Sequence, residues 1–438
     1  MSGENGLLAG YAKIDITPDY QVGLGGYGNA EARRHTDVAD RVYATCIALT
    51  DGDETILLYT LDNCACDHGF AEDIRAEVTI ATGVPGEKVF CSATHTHSAP
   101  ALYGYPEGEQ YRKDVVAACV AGAQQALADR KPSRIFAAKK EFPGMNFVRH
   151  YKMADGTYAG SNFGTFKDNL PVDYAAKPDS QMVLVKFVRE GSCKDILLVN
   201  WQGHPDCAKA AGFENITSGY PGTLRDVLGA ITGDLVAFFT GADGNTNVVT
   251  RIQEDKLGLN WREYGAKMAQ LAYEALPELK EVEGAGIATR RTMLPVEINH
   301  SWDNMLEQAN EVYDLWKTVG KTEANALGKT YGFTSCYQAS AIRSRVQMGK
   351  TKDLELNAFR VGGVGFTTGT YEMFSEAGTY IKENSPYEFT FLLTGNSGYI
   401  PSDAAFNYRC YEADTSHYAR GTAEKLANEY IRLLKEVQ

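Results

Sequence analysis

Eight histidines are spread over 438 residues, and two of them stand one residue apart in "VFCSATHTHSAP" (89–100). "KVFCSA" reads as a short buried strand, and side chains two apart on an extended segment point to the same side. On that reading His95 and His97 reach into one pocket, where imidazole serves as a metal ligand or a proton shuttle. An isolated H-x-H pair can equally hydrogen-bond to neighbouring backbone, so the pair takes its meaning from the rest of the chain.

Other residues able to ligate a metal or move a proton follow the ends of apolar runs. His204 in "GHPDC" comes after "ILLVNWQG", and Asp243, Asn245 and Asn247 in "GADGNTN" come after "LVAFFT". Glu372 follows "GVGFTTGT" at an expected helix start, and Tyr399 in "GYIPSD" follows "FTFLLTGNSG". Strand ends are where open α/β sheets bind ligands. Taken singly, each has a plain structural explanation. The helix dipole favours Glu372 in a first turn, Asp243 suits a Gly/Asn turn, and Tyr399 is one of 25 tyrosines.

The elements that must position these residues are legible as periodicities. "ETILLYTL" reads as a strand, "FAEDIRAEVTIATG" as a helix ending at Gly83, and "YRKDVVAACVAGAQQALADR" as an amphipathic helix stopped before Pro132. "QMVLVKFVRE" and "KDILLVNWQG" read as a hairpin about Gly191, "YPGTLRDVLGAIT" and "WREYGAKMAQLAYEAL" as helices, and "DLVAFFTGADGN" as a strand entering a Gly-rich loop. Further on, "IATRRTMLPVEIN" reads as a strand and residues 303–328 as one polar helix. Then come strands in "ELNAFRVGGVGFTT", a helix in "YEMFSEAGTYIKE", a strand in "EFTFLLTGN" and a helix from about Tyr418. Residues 100–112 and 142–180 read as long loops, which in compact domains tend to carry function. The expectation is a mixed α/β fold: one large domain over 1–438, a large mixed sheet flanked by helices, with the site at strand ends.

Composition narrows the function. Apolar residues make up 44% and charged residues 23%, the balance of an ordinary globular protein. A formal charge of −13 argues against nucleic acid or an anionic membrane as partner. No run approaches the roughly 18 apolar residues of a membrane span, and the first 20 residues lack the pattern of a secretory signal. Nine cysteines, an odd number with several in apolar runs, fit buried free thiols and a cytoplasmic location better than a disulfide framework.

The segments "SATHTHSAP", "GHPDC…ITSGYPG", "TGADGNTN", "YEMFSEAG" and "NSGYIP", in that order, resemble the catalytic domain of the neutral/alkaline non-lysosomal ceramidase family. "GYAKIDITPDYQVGLGGYG" and "DVADRVYATCIALTDGDETILLYTLD" are similar to that family's opening. The resemblance implies a zinc amidohydrolase in which His95, His204, Glu372 and Tyr399 hold Zn2+. His97 would work on water or the tetrahedral intermediate. Arg149, in "NFVRHYK", would face the site as a donor to an oxyanion or to a substrate carboxylate. Asp243 and Asn245 would complete the catalytic set, with Asn245 also meeting substrate. The chain departs from the family where it reads Asp243-Gly244-Asn245-Thr246-Asn247 in place of Asp-Val-Ser-Pro-Asn. Asn cannot be a nucleophile, so metal-activated water is the expected attacking group. Thr370-Tyr371 replace the family's Pro-Gly, and the family's further β-sandwich domain is not expected here.

The sequence therefore leads to a zinc-dependent hydrolase that cleaves an amide C–N bond in a small soluble N-acyl substrate. A zinc esterase or lactonase, and a non-catalytic metal- or ligand-binding relative, stay open. The expected partner is a small-molecule amide, with no nucleic acid and no stable membrane anchoring; a homo-oligomer is left open.

Overall fold

A computed structural model of the chain describes residues 6–28, 30–160, 171–207, 213–248, 259–284 and 286–438. In the first two thirds, apolar runs form β1 (Leu8–Asp15), β2 (Tyr43–Asp51), β3 (Glu54–Leu61), β4 (Val89–Ala93), β5 (Lys131–Glu141), β6 (Gln181–Arg189), β7 (Ile196–Trp201) and β8 (Leu235–Thr240). They pair in the order β8-β7-β6-β5-β1-β2-β3-β4, and Lys280–Glu281 adds to β5. Helices α1 (His68–Thr82), α2 (Pro106–Ala128), α3 (Gly219–Thr232) and α4 (Trp261–Ala275) cover one face. A second sheet, in the order β9 (Ile287–Glu297), β10 (Thr351–Val361), β11 (Val364–Gly369), β12 (Phe389–Thr394), covers the other. Three helices, α5 (Leu306–Thr318), α6 (Lys321–Thr330) and α7 (Cys336–Arg345), lie between β9 and β10 in sequence. The outer face of the second sheet carries α8 (Ser375–Asn384) and α9 (Thr422–Glu436).

The period-two alternation of the strands decides the layering. In β2, Ala44, Cys46 and Ala48 pack with α1 and α2, whereas Ile47 and Leu49 turn toward the second sheet. Phenylalanines fill the space between the sheets: Phe90 stacks on Phe359 at 4.4 Å, and Phe239 meets Phe391 edge-on at 5.5 Å. Each ring removed from water contributes about 1.5–3 kcal/mol. Buried Asn200 bridges the layers, with its amide on Phe239 O (3.0 Å) and Leu392 O (2.7 Å) and its carbonyl accepting Leu392 N (3.2 Å). The expected large mixed sheet flanked by helices is observed, with a smaller sheet and its own helices packed behind it.

Within these two sheets, three pairs of strands are parallel: β3 with β4, β7 with β8, and β11 with β12. Each pair is joined by a crossover helix, α1, α3 or α8. Threonine hydroxyls tie the C-terminal ends of these pairs together. Thr240 Oγ1 donates to Thr94 O (2.9 Å), and Thr394 Oγ1 donates to Thr240 O (3.1 Å). Beneath Thr94, Asp62 receives two guanidinium hydrogen bonds from Arg225 (2.8 and 2.6 Å), together with the Thr94 hydroxyl (3.2 Å) and Tyr43 N (2.9 Å).

Some expected elements differ. The single polar helix over 303–328 is two helices, α5 and α6, because Gly320 takes φ 148°, a conformation that breaks helical hydrogen bonding. Helix α2 begins at Pro106, inside an expected loop, since proline at the first helical position needs no backbone donor. Residues 142–180 hold short strands at Phe147–Val148, His150–Met153, Tyr158–Gly160 and Pro171–Tyr174, and residues 161–170 lie outside the described set. The C-terminal helix starts at Thr422 rather than near Tyr418. None of the nine cysteines is in a disulfide.

The buried Asp62–Arg225 pair yields a stability test. Arg225→Met leaves a fully buried carboxylate without its cation, a change that costs about 3–5 kcal/mol. The urea midpoint should fall accordingly, and an unchanged midpoint would show that the pair does not anchor this edge.

Candidate active site

Strand β4 ends at Ala93, and His95 adopts φ 64°, in the left-handed region. The two histidines therefore meet through a turn, not through the pleat of an extended strand. The turn is held by Thr94 N donating to Leu61 O (2.8 Å) and His97 N donating to Pro205 O (3.3 Å). His95 and His97 lie with Nε2 atoms 3.2 Å apart, and His204, just beyond β7, places its own Nε2 3.0 Å from each. All three rings are buried.

The hydrogen bonds at the far side of two rings fix their tautomers. His95 Nδ1 lies against Cys64 O, and His204 Nδ1 faces Asp243 O at 3.4 Å with an Asp243 carboxylate oxygen at 3.6 Å. Assigned from these acceptors, both Nδ1 atoms carry the proton and both Nε2 atoms present lone pairs. Burial pushes the His95 imidazole down to about 4 and holds His204 well below its ordinary value. Two neutral imidazoles thus aim lone pairs at one another across 3.0 Å, an arrangement that a cation between them relieves.

Glu372 completes the cluster. It lies before α8 in a two-residue parallel bridge, Glu372–Met373 with Tyr399–Ile400, and not in a helical first turn. The bridge sets Glu372 directly beside Tyr399. Glu372 Oε2 is 3.6 Å from His95 Nε2 and accepts no hydrogen bond from any described residue. His95, His204 and Glu372 each offer a ligand atom within 4.8 Å of the others. Burial, then the neighbouring Asp243 carboxylate, push Glu372 well above its ordinary range; Asp243 is itself raised to about 8 by burial. Glu372, Asp243 and Glu412 are three buried carboxylates set against one buried guanidinium, that of Arg149. The donor set fits a divalent ion, which would stabilise the carboxylate forms that burial disfavours.

The remaining expected residues sit around the cluster in different ways. Asp243 backs His204 instead of facing the open side of the triangle. Arg149 is buried, with Nε on Glu412 (2.7 Å), Nη1 on Asn247 (3.3 Å), and Nη2 shared between Gly244 O (2.9 Å) and Tyr399 Oη (3.3 Å). A guanidinium so engaged has no second edge for a two-pronged grip on a substrate carboxylate. The Asn245 side chain is taken up by the start of α8, donating to Glu376 (2.7 Å) and accepting Ser375 N (2.9 Å). Asn245 therefore anchors the start of α8.

Sequence reasoning missed several neighbours. Glu412 lies between Arg149 and His150, both at 2.7 Å; burial opposes its charge, but His150 and Arg149 hold it down to about 2. Cys64 Sγ is 4.0 Å from His95 Nδ1. The His97 ring rests on Gly26, where φ is 96° and an added Cβ would fall 2.5 Å from His97 Cγ. Tyr27 meets His97 edge-on at 4.9 Å, and Arg33 donates to His97 O (2.5 Å). The dense glycines of "GLGGYG" were the available signal for this close approach.

No family model matches the chain, and no curated relative does. Among solved structures it is similar to a neutral ceramidase from Pseudomonas aeruginosa, with TM-score 0.71 and 17% identity over 99% of this chain and 74% of that one. It is also similar to a ceramidase complexed with C2, with TM-score 0.71 and 15% identity over 98% and 75%. The chain has a ceramidase-like fold.

The cluster makes a direct prediction about metal. His204→Ala should abolish binding of a divalent ion to the purified protein. Asp243→Asn, which alters only the acceptor behind His204, should weaken affinity by roughly 10–100-fold. Competition titration with a chromogenic chelator measures both, and wild-type affinity in His204→Ala would refute the assigned ligand set.

Proposed function

We propose that the chain is a zinc-dependent hydrolase that cleaves the C–N bond of an amide in a small soluble N-acyl compound. One observation carries the reading: three buried imidazole nitrogens within 3.2 Å of one another, beside a buried carboxylate oxygen without a donor. The ceramidase-like fold supports amide chemistry. His95, His204 and Glu372 would hold the ion, with Tyr399, register partner of Glu372, as the fourth ligand or as a donor to the developing oxyanion. Two neutral imidazoles and one carboxylate suit Zn2+, which when bound supplies Lewis acidity that acidifies water and polarises a carbonyl.

The chain's own residues account for the rest of the reaction. Water oxygen bonds to the carbonyl carbon, the C–N bond breaks, and the proton released from water reaches the departing amine. His97 would carry that proton, with its backbone fixed by Arg33 and its ring by Gly26 and Tyr27. Arg149 sets the Tyr399 hydroxyl toward the site through a 3.3 Å contact, and Glu412 fixes Arg149. With Asn245 committed to α8, no side chain at that position competes with water as nucleophile. No helix among the described residues is long and apolar enough to cross a membrane. Nine cysteines outside any disulfide fit a reducing, cytoplasmic setting.

Elemental analysis should find zinc, and activity removed by a chelator should return with added zinc. His97→Ala should keep the metal while losing roughly 10²-fold or more in kcat/KM. Metal loss in that variant would make His97 a ligand, and turnover of esters without amides would replace the amidase reading. Short N-acyl amines should be better substrates than a long-chain ceramide in micelles; the opposite order in kcat/KM would assign the site to lipid.

A further inference from the structure

The Cys64 side chain stands beside the histidines and takes no part in the proposed reaction. Cys64 lies just after β3, in a loop fixed on both flanks. Asn63 Nδ2 donates to Pro100 O (3.3 Å), and Cys66 N donates to Gly395 O (2.7 Å). Gly25 closes another side, where an added Cβ would fall 3.2 Å from Cys64 Cβ. The thiol is thereby held against the His95 ring, with Sγ 4.0 Å from Nδ1. Cys64, His95 and His97 each offer a ligand atom within 4.8 Å of the others, and Cys64 is only partly buried.

Nitrogen and sulfur ligands about 2.0–2.3 Å from a tetrahedral ion lie roughly 3.3–3.6 Å from one another. The His95 and His97 Nε2 atoms are already 3.2 Å apart. A turn of the Cys64 side chain about its Cα–Cβ bond closes the rest of the triangle. This donor set differs from that of His95, His204 and Glu372 in one ligand, a thiol in place of a carboxylate. Thiolate sulfur prefers soft ions and carboxylate oxygen harder ones. The two sets share His95, whose Nδ1 proton is committed to Cys64 O. His95 therefore has a single lone pair, at Nε2, and only one ion at a time can hold it.

We propose that Cys64, His95 and His97 form a second cation site, overlapping the first at His95, that captures thiophilic ions such as Cd2+. Capture forms a sulfur–metal bond as the thiol proton passes to solvent, while both imidazoles bind through nitrogen lone pairs and lose no proton. An ion held there takes His95 away from His204 and Glu372 and occupies His97, the proton carrier of the proposed reaction. Thiophilic ions should therefore inhibit the protein at its catalytic centre. The site stands on the positions of three side chains; only its inhibitory consequence rests on the amide-hydrolase reading.

The test is titration of the purified full chain with Cd2+, read by the ultraviolet charge-transfer absorption of a thiolate–cadmium bond. The band should appear in the wild type and be lost in Cys64→Ser and in Cys64→Ala. It should persist in Cys193→Ser, which removes another partly exposed thiol, at the opposite end of β7 from His204. His97→Ala should weaken the Cd2+ affinity read from the band by at least the roughly 10–100-fold that losing an outer partner of a metal site costs. In Cys64→Ser, about tenfold or more Cd2+ should be needed to halve activity, measured against that variant's own uninhibited rate. Circular dichroism establishes which variants are folded, and two replacements at Cys64 guard against a defect in either. No band in the wild type, a band of wild-type strength in a folded Cys64 variant, or wild-type affinity in His97→Ala would overturn the proposal. So would an unchanged inhibition midpoint in Cys64→Ser. A Cys64-dependent band in a protein that hydrolyses neither amides nor esters would keep the site and remove the hydrolase reading. Hydrolysis together with a spectrum indifferent to Cys64 would do the reverse.

Discussion

Lone pairs facing lone pairs in a buried space are the constraint around which this molecule is arranged. His95 and His204 donate their Nδ1 protons outward, to Cys64 and Asp243, so their Nε2 atoms have nothing to share with each other at 3.0 Å. Left alone, such a cluster repels itself, and burial prevents water from relaxing it. Burial raises Glu372 and Asp243, so their carboxylate forms lack a stabilising cation that Arg149, already bound to Glu412, does not supply. A divalent ion resolves both conflicts at once. The surrounding structure must therefore hold these groups together against their mutual repulsion.

That holding force comes from the way three βαβ units converge. The C-terminal ends of β3/β4, β7/β8 and β11/β12 deliver the His95–His97 turn, His204 with Asp243, and Glu372 with Tyr399 respectively. Threonine hydroxyls at 94, 240 and 394 tie the ends across the two sheets, and Asn200 ties the sheets to each other. Short bridges complete the positioning. Glu372 and Tyr399 pair in parallel, and His204 bridges Asn247, whose strand pairs with Phe147–Val148 just before Arg149. Each ligand thus sits at most a few residues from a rigid strand, which is the condition for holding a metal geometry closely.

Around this centre, charge is distributed unevenly and with consequence. Arg149 is bound on one side by Glu412 and on the other by Gly244 and Tyr399, so it orients a phenol and neutralises a carboxylate. Asn245, standing where the resembling family has serine, is hydrogen-bonded to α8, which stabilises the element that follows Glu372.

The sequence by itself determined the strands, most of the helices and the residues that gather at the site. Apolar alternation bounded by Gly and Pro is a local property, and so is the placement of His95, His204, Glu372 and Tyr399 just after apolar runs. Helix α1 ending at Gly83 and the hairpin at Gly191 were legible for the same reason. What only the tertiary structure decided depends on contacts between distant segments. The left-handed turn at His95 replaces a pleat because Cys64, Pro205 and Arg33 fix it from elsewhere. Glu372 lies in a bridge because Tyr399 is its partner. Arg149 lost its expected freedom to Glu412, 263 residues away, a residue that no local pattern singles out. Spacing along a chain can nominate groups for chemistry, but a guanidinium's partners exist only once the chain is folded.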